Sequence, residues 1–177
     1  MSSFRYGAVI RDGAAAFTAT PSSALTTFRV ESRQEVGLRS RVRTRGFTFD
    51  VDEPPTLGGT DTAPNPVEYA LAALATCQEI TYRLYADALG IPLDGVAVTL
   101  EGDIDLRGFF GLDDSIRPGF LAIRGTVTVD SPAPVEELER LRDHVDARCP
   151  VHDLLSNPTP LHLELLTPTA TAAGAAA

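Results

Sequence analysis

Asn65-Pro66-Val67-Glu68-Tyr69-Ala70-Leu71-Ala72-Ala73-Leu74-Ala75-Thr76-Cys77 is the stretch on which the fold turns. Asn at the N-cap, Pro at the first helical position and Glu three residues after the cap form a capping-box sequence. The spacing predicts a helix from Pro66 to about Leu89, stopped by Gly90 and Pro92. Its first turns are apolar nearly all round, which predicts a central helix rather than a peripheral one.

Upstream of this helix, Asp52 to Pro64 (DEPPTLGGTDTAP) reads as a loop, with three prolines and a Gly-Gly pair. It is longer than ordinary connections, and loops of this kind are often functional. From Ala24 to Val51 the pattern is strand-like. Leu25, Thr27 and Arg29 alternate with Thr26, Phe28 and Val30, and Gly37 breaks the run. Beyond it, Arg39, Arg41, Arg43, Arg45, Phe47 and Phe49 fall on one side of a strand, with Leu38, Val42 and Thr44 on the other. A row of arginines on one face reads first as a solvated sheet face, and second as an anion or carboxylate site. Residues 1–23 are expected as an N-terminal arm or strand.

Downstream, Val96, Val98, Leu100, Ile104 and Leu106 alternate with polar residues and predict a half-buried strand. Phe120 to Val129 predicts another. Between them Arg107 to Gly119 reads as a hairpin tip carrying Phe109, Phe110 and Leu112. Pro134 to Arg148 has Leu138, Leu141 and Val145 on one face and acidic residues in its first turn, as a helix dipole favours. A short turn or helix follows from Val151 to Ser156, then a last strand, Leu161-His162-Leu163-Glu164-Leu165. Residues 24–166 thus read as one α+β domain with largely antiparallel sheets, and residues 167–177 as a low-complexity tail.

Composition narrows the classes. The chain has 177 residues, a formal charge of −9 and 22% charged residues, which argues against general nucleic-acid binding. All fifteen basic residues are arginine. No secretory signal and no apolar run of membrane-spanning length is visible, so a cytoplasmic protein without membrane contact is expected. In a reducing compartment the two cysteines, Cys77 and Cys149, are expected to be free, reactive or metal-bound rather than a permanent staple.

The chain carries no phosphate loop, GxSxG elbow or HExxH. Cys149 and His152 could form half a zinc site, but a full site needs four ligands; no metal and no cofactor is expected. Cys77 reads first as a packed small hydrophobe. It lies too deep in its helix for the dipole to ionise it, so a reactive thiolate there would need a cation, for which arginine is the available type. Glu68 reads first as the capping residue. About 13.5 Å of helical rise separates it from Cys77, so the two meet only if the helix breaks or two copies lie antiparallel across a dimer.

The run DEPPTLGGTDTAPNPVEYALAALATCQEITYRLYA, with SIRPGF and RCPVHDLLSN after it, resembles the OsmC/Ohr superfamily over roughly residues 25–166. It is most similar to the branch with GG-x-D-x-x-PNPVE before the first cysteine. The resemblance implies antiparallel sheets around a long central helix in an intertwined homodimer. It implies reduction of small organic hydroperoxides, with Cys77 as peroxidatic and Cys149 as resolving cysteine, a disulfide between them, and a dithiol reductant. Arg33, with Arg39 as rival, matches the region of the family's activating arginine, and Glu68 its carboxylate. That carboxylate directly follows the helix-start proline in well-studied branches, where this chain has Val67. Phe109, Phe110 and Leu112 would suit an apolar substrate or a dimer contact. The displaced carboxylate motivates the alternative, a non-catalytic ligand-binding or redox-sensing protein on the same fold. A purely structural role for both cysteines is the third reading.

Overall fold

The computed structural model describes residues 6–167. Its elements are α1 (Tyr6–Ala19), β1 (Glu31–Val36), β2 (Arg39–Thr44), β3 (Phe47–Val51), α2 (Pro66–Leu89) and β4 (Gly95–Asp103), then α3 (Leu106–Phe109), β5 (Ala122–Asp130), α4 (Val135–Asp146) and α5 (Pro150–Ser156). The architecture is α+β. An antiparallel sheet β1-β2-β3 and an antiparallel pair β4-β5 stand on either side of α2 in the chain.

Helix α2 has the bounds its local signals predict. The Asn65 side chain accepts from the Glu68 amide at 2.9 Å, and the Glu68 carboxylate accepts from the Asn65 amide at 2.8 Å. Gly90 closes the other end in the left-handed conformation, which glycine adopts without a Cβ penalty. α2 packs on α1, β4, α4 and α5. The core gathers Tyr82 and Ala86 of α2 with Leu141 and Val145 of α4, flanked by Ile91, Leu93, Val96 and Val129. The first turns of α2 are less enclosed: Val67, Ala72 and Ala73 are exposed.

Two devices tie the three-stranded sheet to α2. Phe49 packs on Tyr69 with ring centroids 5.1 Å apart, and the Tyr69 hydroxyl donates to the Asp50 carbonyl at 2.8 Å. The loop after β3 is wound around Asp52. This buried carboxylate accepts from the Glu53 amide and from both the amides and hydroxyls of Thr60 and Thr62, at 2.6–3.2 Å. Gly59 is needed for that winding, because a Cβ there would lie 1.8 Å from the Glu53 carbonyl oxygen.

Four expectations are corrected. The segment expected as an N-terminal arm or strand is a helix, α1, docked where Gly7 meets the backbone of Ala88 and its amide donates to Asp87 at 2.5 Å. The arginine run is two strands, not one: Arg45 turns at positive φ and Thr44 pairs with Phe47. The two-residue turn shifts the parity of the pattern: Thr44 pairs with Phe47 and Val42 with Phe49, so the two phenylalanines lie on the Val42 face and not, as expected, with Arg41 and Arg43. Leu25–Val30 and Leu161–Leu165 form no strand: neither pairs with a strand among the described residues, and alternation without a paired neighbour makes no ladder. The hairpin tip contains a short helix, α3, capped by Asp105. Of the expected tail, residues 168–177 lie outside the described residues.

Candidate functional site

The packing of α2 on α5 brings the two thiols together. Cys77 lies in mid-helix on α2 and is half-buried. Cys149 stands between α4, which ends at Asp146, and α5: its amide donates to the Val145 carbonyl at 2.8 Å, and Pro150 opens α5 directly after it. Proline is favoured at the first position of a helix and cannot continue the preceding one, which fixes Cys149 at the junction.

The Cys149 sulfur is fully buried, at 0% exposure. Burial pushes its thiol pKa up, since a thiolate would lose its hydration. The side chain of Cys77 is its hydrogen-bonding neighbour and pushes it up further, while the amides of His152 and Val151 at the start of α5 pull the other way. Both thiols are free. Two neighbouring thiols, one of them shielded, are the partners that disulfide formation needs.

The other expected site residues are not gathered here. Glu68 is at the helix start, in its capping bonds. Arg33 is on β1 opposite Arg41, and β1 packs on β2 rather than on α2. Arg33 lines a groove of about 630 Å³ with Glu31, Glu35, Arg41 and Arg43. Arg39 reaches Glu35 at 3.6 Å and keeps a buried Nε without a partner. Arg41 is bound to Asp50 at 2.9 Å; this contact holds the Asp50 carboxyl below its usual range. Arg41 and Arg43 face solvent, as the first reading of the arginine row expects. Phe109 and Phe110 meet edge to face, ring centroids 5.4 Å apart, and with Leu112 stay exposed at the tip beside α3. His144 packs on Tyr85, and His152 Nδ1 lies 3.7 Å from Asp146.

Two features escaped the sequence reading. Asp52 is a buried loop organiser, signalled only by the Thr60-Asp61-Thr62 triplet downstream. Gln78, beside Cys77, is buried with its Oε1 unpartnered; a lone amide within an apolar helix was its signal. Gln78 looks into a cleft of about 950 Å³ between α2, β5 and α4, which His152 also lines.

Comparison with known proteins bears on the family and the fold. A family model described as OsmC-like protein matches residues 59–164. No curated protein matches the chain. Among solved structures, an OsmC-like protein from Mycoplasma pneumoniae is similar at 20% identity, covering 75% of this chain and 89% of that one, with a TM-score of 0.62. An organic hydroperoxide resistance protein OsmC from Legionella pneumophila matches at 24% identity, over 75% and 90% of the two chains, with a TM-score of 0.58. An organic hydroperoxide resistance protein from Elizabethkingia anophelis, with thiocyanate bound, matches at 20% identity, over 73% and 88%, with a TM-score of 0.55. At such identities the likeness establishes the fold. No helix among the described residues is long and apolar enough to cross a membrane.

Proposed function

Because this chain belongs to the OsmC-like protein family, we propose that it is a thiol-dependent peroxidase that reduces organic hydroperoxides through Cys77 and Cys149. The observation that carries this reading is the contact of the two thiols, with the Cys149 sulfur buried against the Cys77 side chain.

The chemistry is a two-step oxidation. The Cys77 thiolate attacks the peroxide; an S–O bond forms as the O–O bond breaks, and the alkoxide takes a proton and leaves as an alcohol. Cys77 is left as a sulfenic acid. The Cys149 thiol gives up its proton and the thiolate attacks that sulfur; the S–S bond forms as the S–O bond breaks, and the departing hydroxide takes up a proton and leaves as water. A dithiol reductant restores both thiols by exchange and is itself oxidised to a disulfide.

In this reading the working unit is a homodimer. Leu25, Phe28 and Val30 are exposed beside a sheet with a free β1 edge, and the first turns of α2 lack a cover. Exposed apolar segments and open strand edges of this kind mark association surfaces. A second subunit would then bring Arg33 and Glu68 to Cys77, where a guanidinium favours the thiolate. It would also enclose Phe109, Phe110 and Leu112 as an apolar surface for the substrate.

The test is peroxide consumption by reduced protein with a dithiol present. The parent protein should turn over cumene hydroperoxide and Cys77→Ser should not; equal rates for the two would end the peroxidase reading. The alternative, a ligand-binding or redox-sensing protein, draws on the capping bonds that hold Glu68 at the helix start. It predicts disulfide formation without sustained turnover.

A further inference from the structure

The cleft between α2, β5 and α4 holds two buried polar groups that the described residues leave without a partner. Gln78, 7% exposed, has none for its Oε1. Tyr82, 2% exposed, lines the same cleft, and no hydrogen bond reaches its hydroxyl among the described residues. Burial, then the nearby Asp146 carboxylate, push the phenol's pKa up, so it keeps its proton and remains a donor. Buried polar groups in folded proteins are nearly always hydrogen-bonded, so two on one wall of a cleft mark a place where something binds. Neither thiol lines this cleft; Gln78 is one residue, about 100° of helix, away from Cys77.

The spacing of the pair limits what can answer it. Gln78 and Tyr82 are four residues apart on α2, so they share a helix face with about 6 Å of rise between them. One oxygen atom with a hydrogen bond of about 2.8 Å on each side spans that separation. The atom must donate to Gln78 Oε1 and accept from the Tyr82 hydroxyl. A hydroxyl does both, whereas an ammonium has no acceptor and a carboxylate or ketone no donor. Charge points the same way. Glu139 and Asp146 line the cleft and repel an anionic head group. Of the arginines there, Arg142 is held by Asp143 at 2.7 Å and Arg124 by Glu101 at 3.0 Å. Arg117 makes no ion pair among the described residues but is exposed, so a carboxylate would pair with it in water rather than beside Gln78. The rest of the wall is apolar, with Leu74, Val98, Leu100 and Leu138 around a space of small-molecule size. A water molecule can join the two polar groups. A ligand hydroxyl in its place keeps both bonds, and each methylene it brings out of water adds a factor of about four in affinity.

We propose that this cleft is a binding site for a neutral apolar alcohol, whose hydroxyl donates to Gln78 Oε1 and accepts from the Tyr82 hydroxyl while its hydrocarbon lies along Leu74, Leu100 and Leu138. The site is separate from the thiol pair and does not depend on the peroxidase reading.

The test is calorimetric titration of the reduced full-length protein at pH 7 with 1-octanol, 2-octanone and octanoate. 1-Octanol should bind about tenfold or more tighter than the ketone, which has no donor for Gln78, and than the anion. Tyr82→Phe and Gln78→Leu should each weaken 1-octanol about tenfold. Tyr82→Phe keeps the ring and removes only a hydroxyl that has no partner, so its Tm should hold. A fall in its Tm would mean that protein, from the same or a second copy, already answers that hydroxyl, and overturns the proposal. No binding of 1-octanol, or equal binding by the parent and Tyr82→Phe, also overturns it. Octanoate held as tightly as the alcohol would seat the head group at Arg117 and overturns it too. 1-Octanol binding without peroxide turnover sinks the peroxidase reading alone, and turnover by a protein that binds no alcohol sinks this proposal alone.

Discussion

The buried sulfur of Cys149 has the side chain of Cys77 as its hydrogen-bonding neighbour, across the contact of α5 with α2. Each thiol is therefore the nearest redox partner of the other, and their behaviour should be coupled.

One equivalent of an organic hydroperoxide should convert reduced protein to a Cys77–Cys149 disulfide, seen by peptide mass mapping. Cys77→Ser should lower peroxide turnover by about 100-fold or more. Cys149→Ser should accumulate a sulfenic acid that dimedone traps. Trapping in the parent at equal yield would show that Cys149 does not resolve it.

The resolving step should speed up with pH. Burial, then contact with Cys77, raises the Cys149 thiol, so its thiolate is scarce at neutral pH and its fraction keeps growing above about pH 8.5, the ordinary thiol value. Stopped-flow decay of the sulfenic acid should accelerate through that range. Folding follows the opposite sign. The folded protein holds the Cys149 proton more tightly than the unfolded chain, so this contribution to stability is present at low pH and is lost as pH rises through the folded value.

Asp52 should make the protein acid-sensitive. Its hydrogen bonds from Thr60, Glu53 and Thr62 depress its pKa well below the ordinary carboxyl range, despite burial. Stability from this group is present above about pH 4, its unfolded value, and is lost as pH falls toward the folded value. Asp52→Asn should flatten the acid limb of a urea-denaturation series and lower Tm at pH 7. Gly59→Ala, which sets a methyl against the Glu53 carbonyl, should destabilise by about 1–3 kcal/mol through the same loop.

Glu68→Gln separates the cap from the site. Glutamine can make both capping bonds, so Tm should hold within about a degree or two. If the carboxylate also serves Cys77 across the dimer, peroxide turnover should fall about tenfold, as for loss of a charged positioning group. Arg33→Gln should fall in parallel and slow iodoacetamide alkylation of Cys77 at neutral pH. An Arg39→Gln variant that falls while Arg33→Gln does not would exchange their roles.

Helix α2 was legible in the sequence to the residue because its limits are set locally, by Asn65, Pro66, Glu68 and Gly90. The strands β4 and β5 and the helix α4 were legible from their periodicity. What escaped is set by contacts distant in sequence. Nothing near Gly7 announces a helix; its anchor is Asp87. The Leu161–Leu165 alternation is a strand pattern that pairs with no strand among the described residues. The thiol pair was legible as two unusual cysteines, whereas their meeting depends on how α5 packs on α2. Arg33 could not be placed because β1 packs on its own hairpin, away from both thiols.

The seat of α1 has a practical side. A Cβ on Gly7 would lie 2.7 Å from the Ala88 nitrogen and 2.8 Å from its Cα, so there is no room for even a methyl group. Affinity tags or signal sequences joined ahead of Tyr6 must leave that glycine seated in its notch. Proteases that clip before it should spare the fold, whereas any replacement side chain there would pry the leading helix off its neighbour.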